Sequence, residues 1–312
     1  MYDFINEIFD KYQVRKSYND KSKFIEYLES IFNKLGIKFN IDNHGRMIKS
    51  RNIIVGDIDE ADTIFTAHYD TCAKLPFPNF ITPKNIFIYL LYSLFLAFLI
   101  ILSASICAFI AELLFHKALI SRLIYMFILF MDIYLMIFGK PNRHTANDNT
   151  SGVITLLTII HGLDREYMDK TAFVFFDNEE AGLVGSSAFK KKYKNLNDKL
   201  IINFDCVSDG DNIMFVCSKK AKFDKKFEIL EENLNKEKEN YKKNVLIENT
   251  KNTFYPSDQM IFKNSIGVAV LKKKPIIGYY MNKIHTNKDV VFDKRNIDFI
   301  SKVMINVIEN DK

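Results

Sequence analysis

The chain lacks paired cysteines: its four, Cys72, Cys107, Cys206 and Cys217, show no Cys-x-x-Cys spacing and are too few for a disulfide framework. They read as reduced, buried thiols. A strong excess of one charge is also missing, since 43 basic side chains against 38 acidic ones leave a net charge of only +5 over 312 residues. With no array of aromatic and basic residues either, nucleic acid is set aside as a partner. The start, Met1-Tyr2-Asp3-Phe4-Ile5-Asn6-Glu7, has no basic opening, apolar centre or small-residue cleavage site, so a secretory signal is not expected. No internal repeat is visible. The length suits one large α/β domain or two smaller ones, and either buries a sizeable core.

Charge is absent altogether from Ile86 to Ala111, a stretch longer than the roughly 20 apolar residues that cross a bilayer core. A soluble helix keeps a polar face, and this run offers only Tyr, Ser and Cys. A second apolar run, Leu119 to Phe138, carries Arg122 near its start and Asp132 inside, and still spans if Arg122 snorkels. Together they predict a transmembrane helical hairpin over 85–139, with residues 1–84 and 140–312 on one side of the membrane. Asp132 lies about 12 Å along a helix from Lys140 and reads as a structural, polar interhelical contact. Lys74, Lys84, Lys140 and Arg143 flank the hairpin, against Lys117 and Arg122 at its tip. That bias places the polar chain on the cytoplasmic side.

Elsewhere, apolar residues recur at helical spacing through residues 1–35, and two helices are expected there, with Gly36 as a stop. Short β-rich runs follow at Ile37 to Ile41, Asn52 to Val55 and Thr63 to Ala67, with a turn at Asn43-His44-Gly45 between the first two. After the hairpin, helices are expected at Ser151 to Leu163, Ala181 to Tyr193, Ala221 to Tyr241 and Asn296 to Ile308. Strands are expected at Thr171 to Phe176, Lys199 to Phe204, Asn212 to Val216 and Gly267 to Leu271. Such alternation predicts a three-layer α/β/α sandwich around a mixed, mostly parallel sheet, interrupted by the hairpin. The Lys/Glu-rich run from Lys219 to Lys243 mixes both charges with apolar residues and reads as a solvated helix face.

Five clusters supply imidazole or carboxylate: Thr66-Ala67-His68-Tyr69-Asp70-Thr71, Ala146-Asn147-Asp148-Asn149, Asp177-Asn178-Glu179-Glu180, Asn203-Phe204-Asp205 and Ile284-His285-Thr286. Each follows or lies close to a predicted strand end, where open α/β sheets present functional groups. Zinc takes neutral imidazole nitrogen and carboxylate oxygen, and two adjacent zincs can share a carboxylate, so five ligands with one bridging suffice.

Thr66 to Thr71, Asn147 to Gly152, Glu179-Glu180 with Ala181-Gly182-Leu183-Val184-Gly185-Ser186, and His285-Thr286 resemble, in order, the signatures of the zinc aminopeptidase family. That family includes secreted bacterial leucyl aminopeptidases, glutamate carboxypeptidase and glutaminyl cyclases. The resemblance implies one metallopeptidase domain split into 1–84 and 140–312, holding two zinc ions. It implies Asp148 as bridging ligand, His68 and Asp205 completing one site, and Glu180 and His285 the other. Glu179 becomes the general base, and adjacency fits this: one carboxylate can coordinate while its neighbour reaches a water. Asp70, two residues after His68, can accept the imidazole's other N–H and fix its tautomer. Tyr255-Pro256-Ser257-Asp258-Gln259 resembles a family element in which histidine often follows Ser-Asp. Here Gln259 holds that place, and Tyr255 is a candidate hydrogen-bond donor to substrate. The expected activity is aminopeptidase. The same scaffold also serves carboxypeptidases, dipeptidases and glutaminyl cyclases, while a complete ligand set argues against a non-catalytic receptor or scaffold. Because the insert leaves and returns beside the clusters, membrane-bound or membrane-emerging peptides are the expected substrates.

Overall fold

The computed structural model describes residues 3–45 and 49–311; Met1 and Tyr2 of the N-terminal stretch lie outside it. Two helices open the chain, α1 (Asp3–Lys11) and α2 (Tyr18–Leu35). Ser17 and Asp20 form a reciprocal capping box at the start of α2, and Gly36 ends it in the left-handed conformation at φ 64°. Strands β1 (Phe39–His44), β2 (Ser50–Val55) and β3 (Thr63–His68) follow. The hairpin helices α3 (Ile86–Phe115) and α4 (Ala118–Phe138) come next, then α5 (Gly152–Gly162) and β4 (Thr171–Phe176). The remainder comprises α6 (Val184–Lys192), β5 (Leu200–Phe204), β6 (Asn212–Cys217), α7 (Lys225–Tyr241) and β7 (Asn244–Asn249). Strands β8 (Ser265–Lys274) and β9 (Gly278–Tyr280) and helix α8 (Lys294–Glu309) complete it.

The strands form one mixed sheet in the order β1-β2-β4-β3-β5-β8-β6-β7, with β9 pairing β8. Its centre, β4-β3-β5-β8, is parallel; β2 joins β4 and β6 joins β8 antiparallel, and β1 lies antiparallel to β2. Side chains alternate across the strands and so feed two layers. Phe65, Phe173, Phe175 and Ile202 face a core shared with α1, α2, α5, α7 and α8, whereas Ile64, Val174, Phe176 and Ile201 face Phe189 of α6. This is the expected α/β/α sandwich. Strands from before and after the hairpin pair directly, Thr63 with Thr171 and Leu200, so the polar chain shares one sheet.

Local differences from the expected elements have identifiable causes. Helix α6 starts three residues late because Gly182 (φ 101°) and Leu183 (φ 57°) hold a turn first. Strand β7 is only half-buried and β9 has three residues, so neither carries a strong apolar pattern. Helix α3 runs on past Ala111 to Phe115, and α7 begins at Lys225 after a short 3₁₀ turn.

Helices α3 and α4 are both long and apolar enough to cross a membrane. They do not form a buried core pair: α4 has no buried residue, and α3 buries only Ala104 and Ala111, small side chains that permit close helix approach. Asp132 accepts a hydrogen bond from Ser103 across the hairpin, the expected interhelical contact. A short antiparallel stem joins the hairpin to the sheet domain. Lys74 N–H donates to the Lys140 carbonyl (2.8 Å), and Asn142 N–H to that of Cys72 (3.1 Å). Lys16 Nζ donates to the Ile137 carbonyl (2.6 Å), capping the end of α4 where a cation also complements the helix dipole.

Cys72, Cys206 and Cys217 are buried thiols, but Cys107 lies half-buried on α3, where the hairpin has no core to enter. Burial pushes the Cys217 thiol up to about 12. At pH 8 that leaves roughly one thiolate in ten thousand, and the thiolate is the reactive form. Cys217 should therefore resist a polar thiol reagent at pH 8 in the folded protein and react on denaturation, as mapped by peptide mass spectrometry. Prompt labelling under native conditions would contradict the packing of β6.

Candidate metal centre

The three parallel strands β3, β4 and β5 end at the same edge, and their ends deliver His68, Glu179 with Glu180, and Asp205. Asp148 comes from a π-type turn over 146–151 that leads into α5, and His285 from the loop after β9 at φ 64°. All five converge. His68 Nε2 lies 3.4 Å from Asp148 Oδ1 and 3.5 Å from Asp205 Oδ1. His285 Nε2 lies 3.1 Å from Asp148 Oδ2 and 3.2 Å from Glu180 Oε2. The two oxygens of Asp148 are thus divided between two donor groups, each holding one imidazole and one further carboxylate. Cys72 Sγ joins the second group, with all the candidate ligand atoms of that group within 4.8 Å of one another.

These residues fit zinc. Bonds of about 2.0–2.1 Å in a tetrahedron place neighbouring ligand atoms roughly 3.3 Å apart, which falls within the 3.1–3.5 Å separations seen. Buried Glu180 Oε1 and Asp205 Oδ1 have no hydrogen-bond partner, as expected of oxygens reserved for a cation. Electrostatics agree. Like charges about 4 Å apart repel by about 4 kcal/mol at an effective dielectric of about 20, so this many carboxylates cannot ionise together without a counter-charge. Burial, reinforced by Asp148 and opposed by His68, pushes Glu180 well above the ordinary carboxyl value of 4.5. Burial pushes Glu179 the same way; His68 opposes it, while Glu180, Asp258 and Asp205 add to it. Burial would also raise Asp148, but His285 and His68 hold it down. His68 is raised despite its burial because Glu179, Asp148, Asp205 and Asp70 surround it.

The backbone around Asp148 is held by its neighbours. Asp289 accepts from both Asn147 N–H (2.8 Å) and Asp148 N–H (3.0 Å). Asn147 Oδ1 accepts from Ser208 and Asp209 N–H, and Asn149 bridges the strand ends, donating to the His68 and Phe204 carbonyls and accepting from Cys206 N–H. A Cβ on Gly152 would stand 2.4 Å from the Phe204 carbonyl oxygen, so only glycine fits there. Arg15, fully buried below the site, donates to the carbonyls of Tyr69 (2.5 Å) and Tyr12 (2.7 Å) and to Thr150 Oγ1 (3.1 Å). Burial lowers it to about 10, with Asp70 and Asp148 opposing, so it stays cationic at neutral pH.

Asp70 differs from expectation in detail. His68 Nδ1 meets the main-chain oxygen of Asp70 at 3.1 Å, closer than the carboxylate Oδ1 at 3.6 Å. The carboxylate instead accepts from Glu179 N–H (2.9 Å) and Glu180 N–H (3.2 Å), clasping the turn that carries both glutamates. Tyr255 is buried, and its hydroxyl donates to the Asp205 carbonyl (2.9 Å), directing that donor into the protein. Gln259 is committed too, donating to the Tyr255 carbonyl and accepting from Asn203. Sequence reasoning missed Cys72, Arg15 and Asp289. Cys72 could have been flagged by its position two residues after Asp70; Arg15 and Asp289 carry no local signal, because only the fold brings them here.

An α/β sheet presenting imidazoles and carboxylates at zinc-compatible spacing defines a metallohydrolase. Residues 132–308, more than half of the chain, match the model of peptidase family M28, and the chain belongs to that family of zinc-dependent peptidases. A search of curated proteins gave no match. Among solved structures, a Porphyromonas gingivalis glutaminyl cyclase is similar with a TM-score of 0.61 at 14% identity, covering 99% of this chain and 96% of that one. A Zn-dependent exopeptidase from Parabacteroides distasonis gives 0.60 at 15% identity over 98% and 96%. A leucine aminopeptidase precursor from Bacteroides thetaiotaomicron gives 0.60 at 17% identity over 99% and 95%. At these identities the likeness establishes the fold.

The Asp70 clasp makes a prediction. Asp70→Ala frees two N–H groups and loosens Glu179-Glu180, so zinc affinity or kcat/KM should fall about 10–100-fold with the circular dichroism spectrum unchanged. Wild-type zinc titration and kinetics in this variant would show that the clasp is dispensable.

Proposed function

We propose that this protein is a membrane-anchored dizinc exopeptidase that removes N-terminal residues from peptides. The division of the two Asp148 oxygens between the His68–Asp205 and His285–Glu180 groups supports this most directly. In this reading Asp148 would be shared by two zinc ions, with His68 and Asp205 completing one site and Glu180 and His285 the other. When bound, the ions polarise a substrate carbonyl and lower the pKa of a coordinated water toward about 7. Glu179 is the general base: its carboxylate takes a proton from the attacking water and delivers it to the departing amine. Asp70 keeps Glu179 and Glu180 in register through their N–H groups. A free amine at the substrate's end, placed near the metal centre, favours the N-terminal residue. Residues 85–139 serve as the bilayer anchor and divide the metallopeptidase domain into 1–84 and 140–312. The flanking Lys74, Lys84, Lys140 and Arg143 favour a cytoplasmic catalytic side, and the attachment of the insert beside the site favours membrane-associated peptides as substrates.

Two measurements test this. Elemental analysis of the purified full chain should return about two zinc ions per protein, since five ligands with one shared suit a pair. Peptide-library digestion read by mass spectrometry should show N-terminal trimming by wild type, with Glu179→Gln slower by about 10²–10⁴-fold at unchanged zinc content. Loss of ammonia from N-terminal glutamine without trimming would reassign the site to glutaminyl cyclisation. Identical digests from wild type and variant would remove the peptidase reading.

A further inference from the structure

A cavity of about 580 Å³ opens between α3, α4 and the segment following Cys72. Its lining is almost wholly apolar, with Leu75, Phe77, Leu99, Ile100 and Met136 prominent, while Lys74 and Lys140 stand at the stem end. Ser103 and Asp132 line it at the depth of the hairpin interior. One short segment, residues 72–75, connects the cavity to the metal centre. Cys72 belongs to the second donor group, and Leu75 follows three residues later, at most about 11 Å along an extended chain. Leu75 N–H donates to the main-chain oxygen of His285 itself (2.8 Å).

We propose that this cavity is the subsite for the apolar segment of a membrane-inserted peptide, whose terminus then reaches the adjacent metal centre. The inference rests on the peptidase reading and specifies its substrate. The occupant follows from the lining. Apolar side chains of a peptide match the walls, but a peptide also carries N–H groups, each costly to leave unpaired in hydrocarbon. Asp132 answers that need: Oδ2 takes the Ser103 hydroxyl, and Oδ1 has no hydrogen-bond partner among the described residues. A lipid tail has no donor to offer an acceptor at that depth and gains nothing from it. A peptide bound here lies beside the stem, with Cys72 and Leu75 leading from the cavity to His285.

The full chain carrying Glu179→Gln, reconstituted in phosphatidylcholine–phosphatidylglycerol nanodiscs, tests the subsite without requiring turnover. A peptide with a free N-terminus, a short polar leader and an apolar segment bearing one photoreactive leucine is cross-linked and the adducts are mapped. Adducts should concentrate on the walls of the cavity formed by residues 96–103 and 132–139. Leu99→Trp fills the space, and Ser103→Leu provides an independent block; each should reduce those adducts by about tenfold or more, equivalent to about 1.4 kcal/mol of binding. Because the chain has no tryptophan, the new indole also reports through its emission that the hairpin is folded. Adducts undiminished by both variants, or spread over the outer helix faces, overturn the proposal. So does a photoreactive fatty acid that labels the same walls and displaces the peptide, which would assign the cavity to lipid. Since labelling needs no hydrolysis, its failure is distinct from a failure of the library digestion.

Discussion

Asp148 must hold both carboxylate oxygens in place beside Glu180, Asp205 and two imidazoles, and much of the surrounding structure serves that requirement. Repulsion among carboxylates would open such a pocket unless the backbone beneath them were fixed. Fixing is done by hydrogen bonds: Asp289 reaches in from the loop before α8, and Asn149, next to Asp148, ties the turn to the His68 and Phe204 carbonyls at the ends of β3 and β5. Asp70 does the same for the glutamate turn. In each case a carboxylate or amide that contacts main chain determines where another carboxylate stands.

Arg15 adds a second kind of support. An arginine with no exposed surface is costly unless its donors are satisfied, and three elements supply acceptors to it. None of those acceptors is a carboxylate. The guanidinium therefore lends positive potential to the acidic pocket without consuming an oxygen that a metal needs. Its neighbour Lys16 reaches the other way, to the end of α4, so two consecutive residues connect the floor of the site to the hairpin.

How far the sequence predicted this follows from what each element depends on. Strand β4 is buried along its whole length, and its apolar run marked Thr171 to Phe176 at both ends. The α6 boundary depended on backbone conformation at Gly182 and Leu183, which periodicity does not register. The five clusters were legible because the chemistry of zinc restricts ligand types and their order resembles a family's signatures; strand ends mark three of them, after β3, β4 and β5. Arg15 and Asp289 were not, since a buried charge is recognisable only from what packs around it. Tyr255 shows the converse: a plausible donor in a plausible segment, whose hydroxyl the fold turns toward Asp205.

The sheet also constrains the order in which the chain can assemble. Strand β3 leaves the ribosome early, yet its two neighbours, β4 and β5, lie on the far side of the hairpin, with Thr63 and its partner Thr171 separated by 108 positions. Closing so long a loop makes the central pairing a late event. Until both apolar helices have emerged, β3 has two open edges and His68 has no companions. The metal site thus has its full set of side chains only once the chain has been made through His285, well after the hairpin.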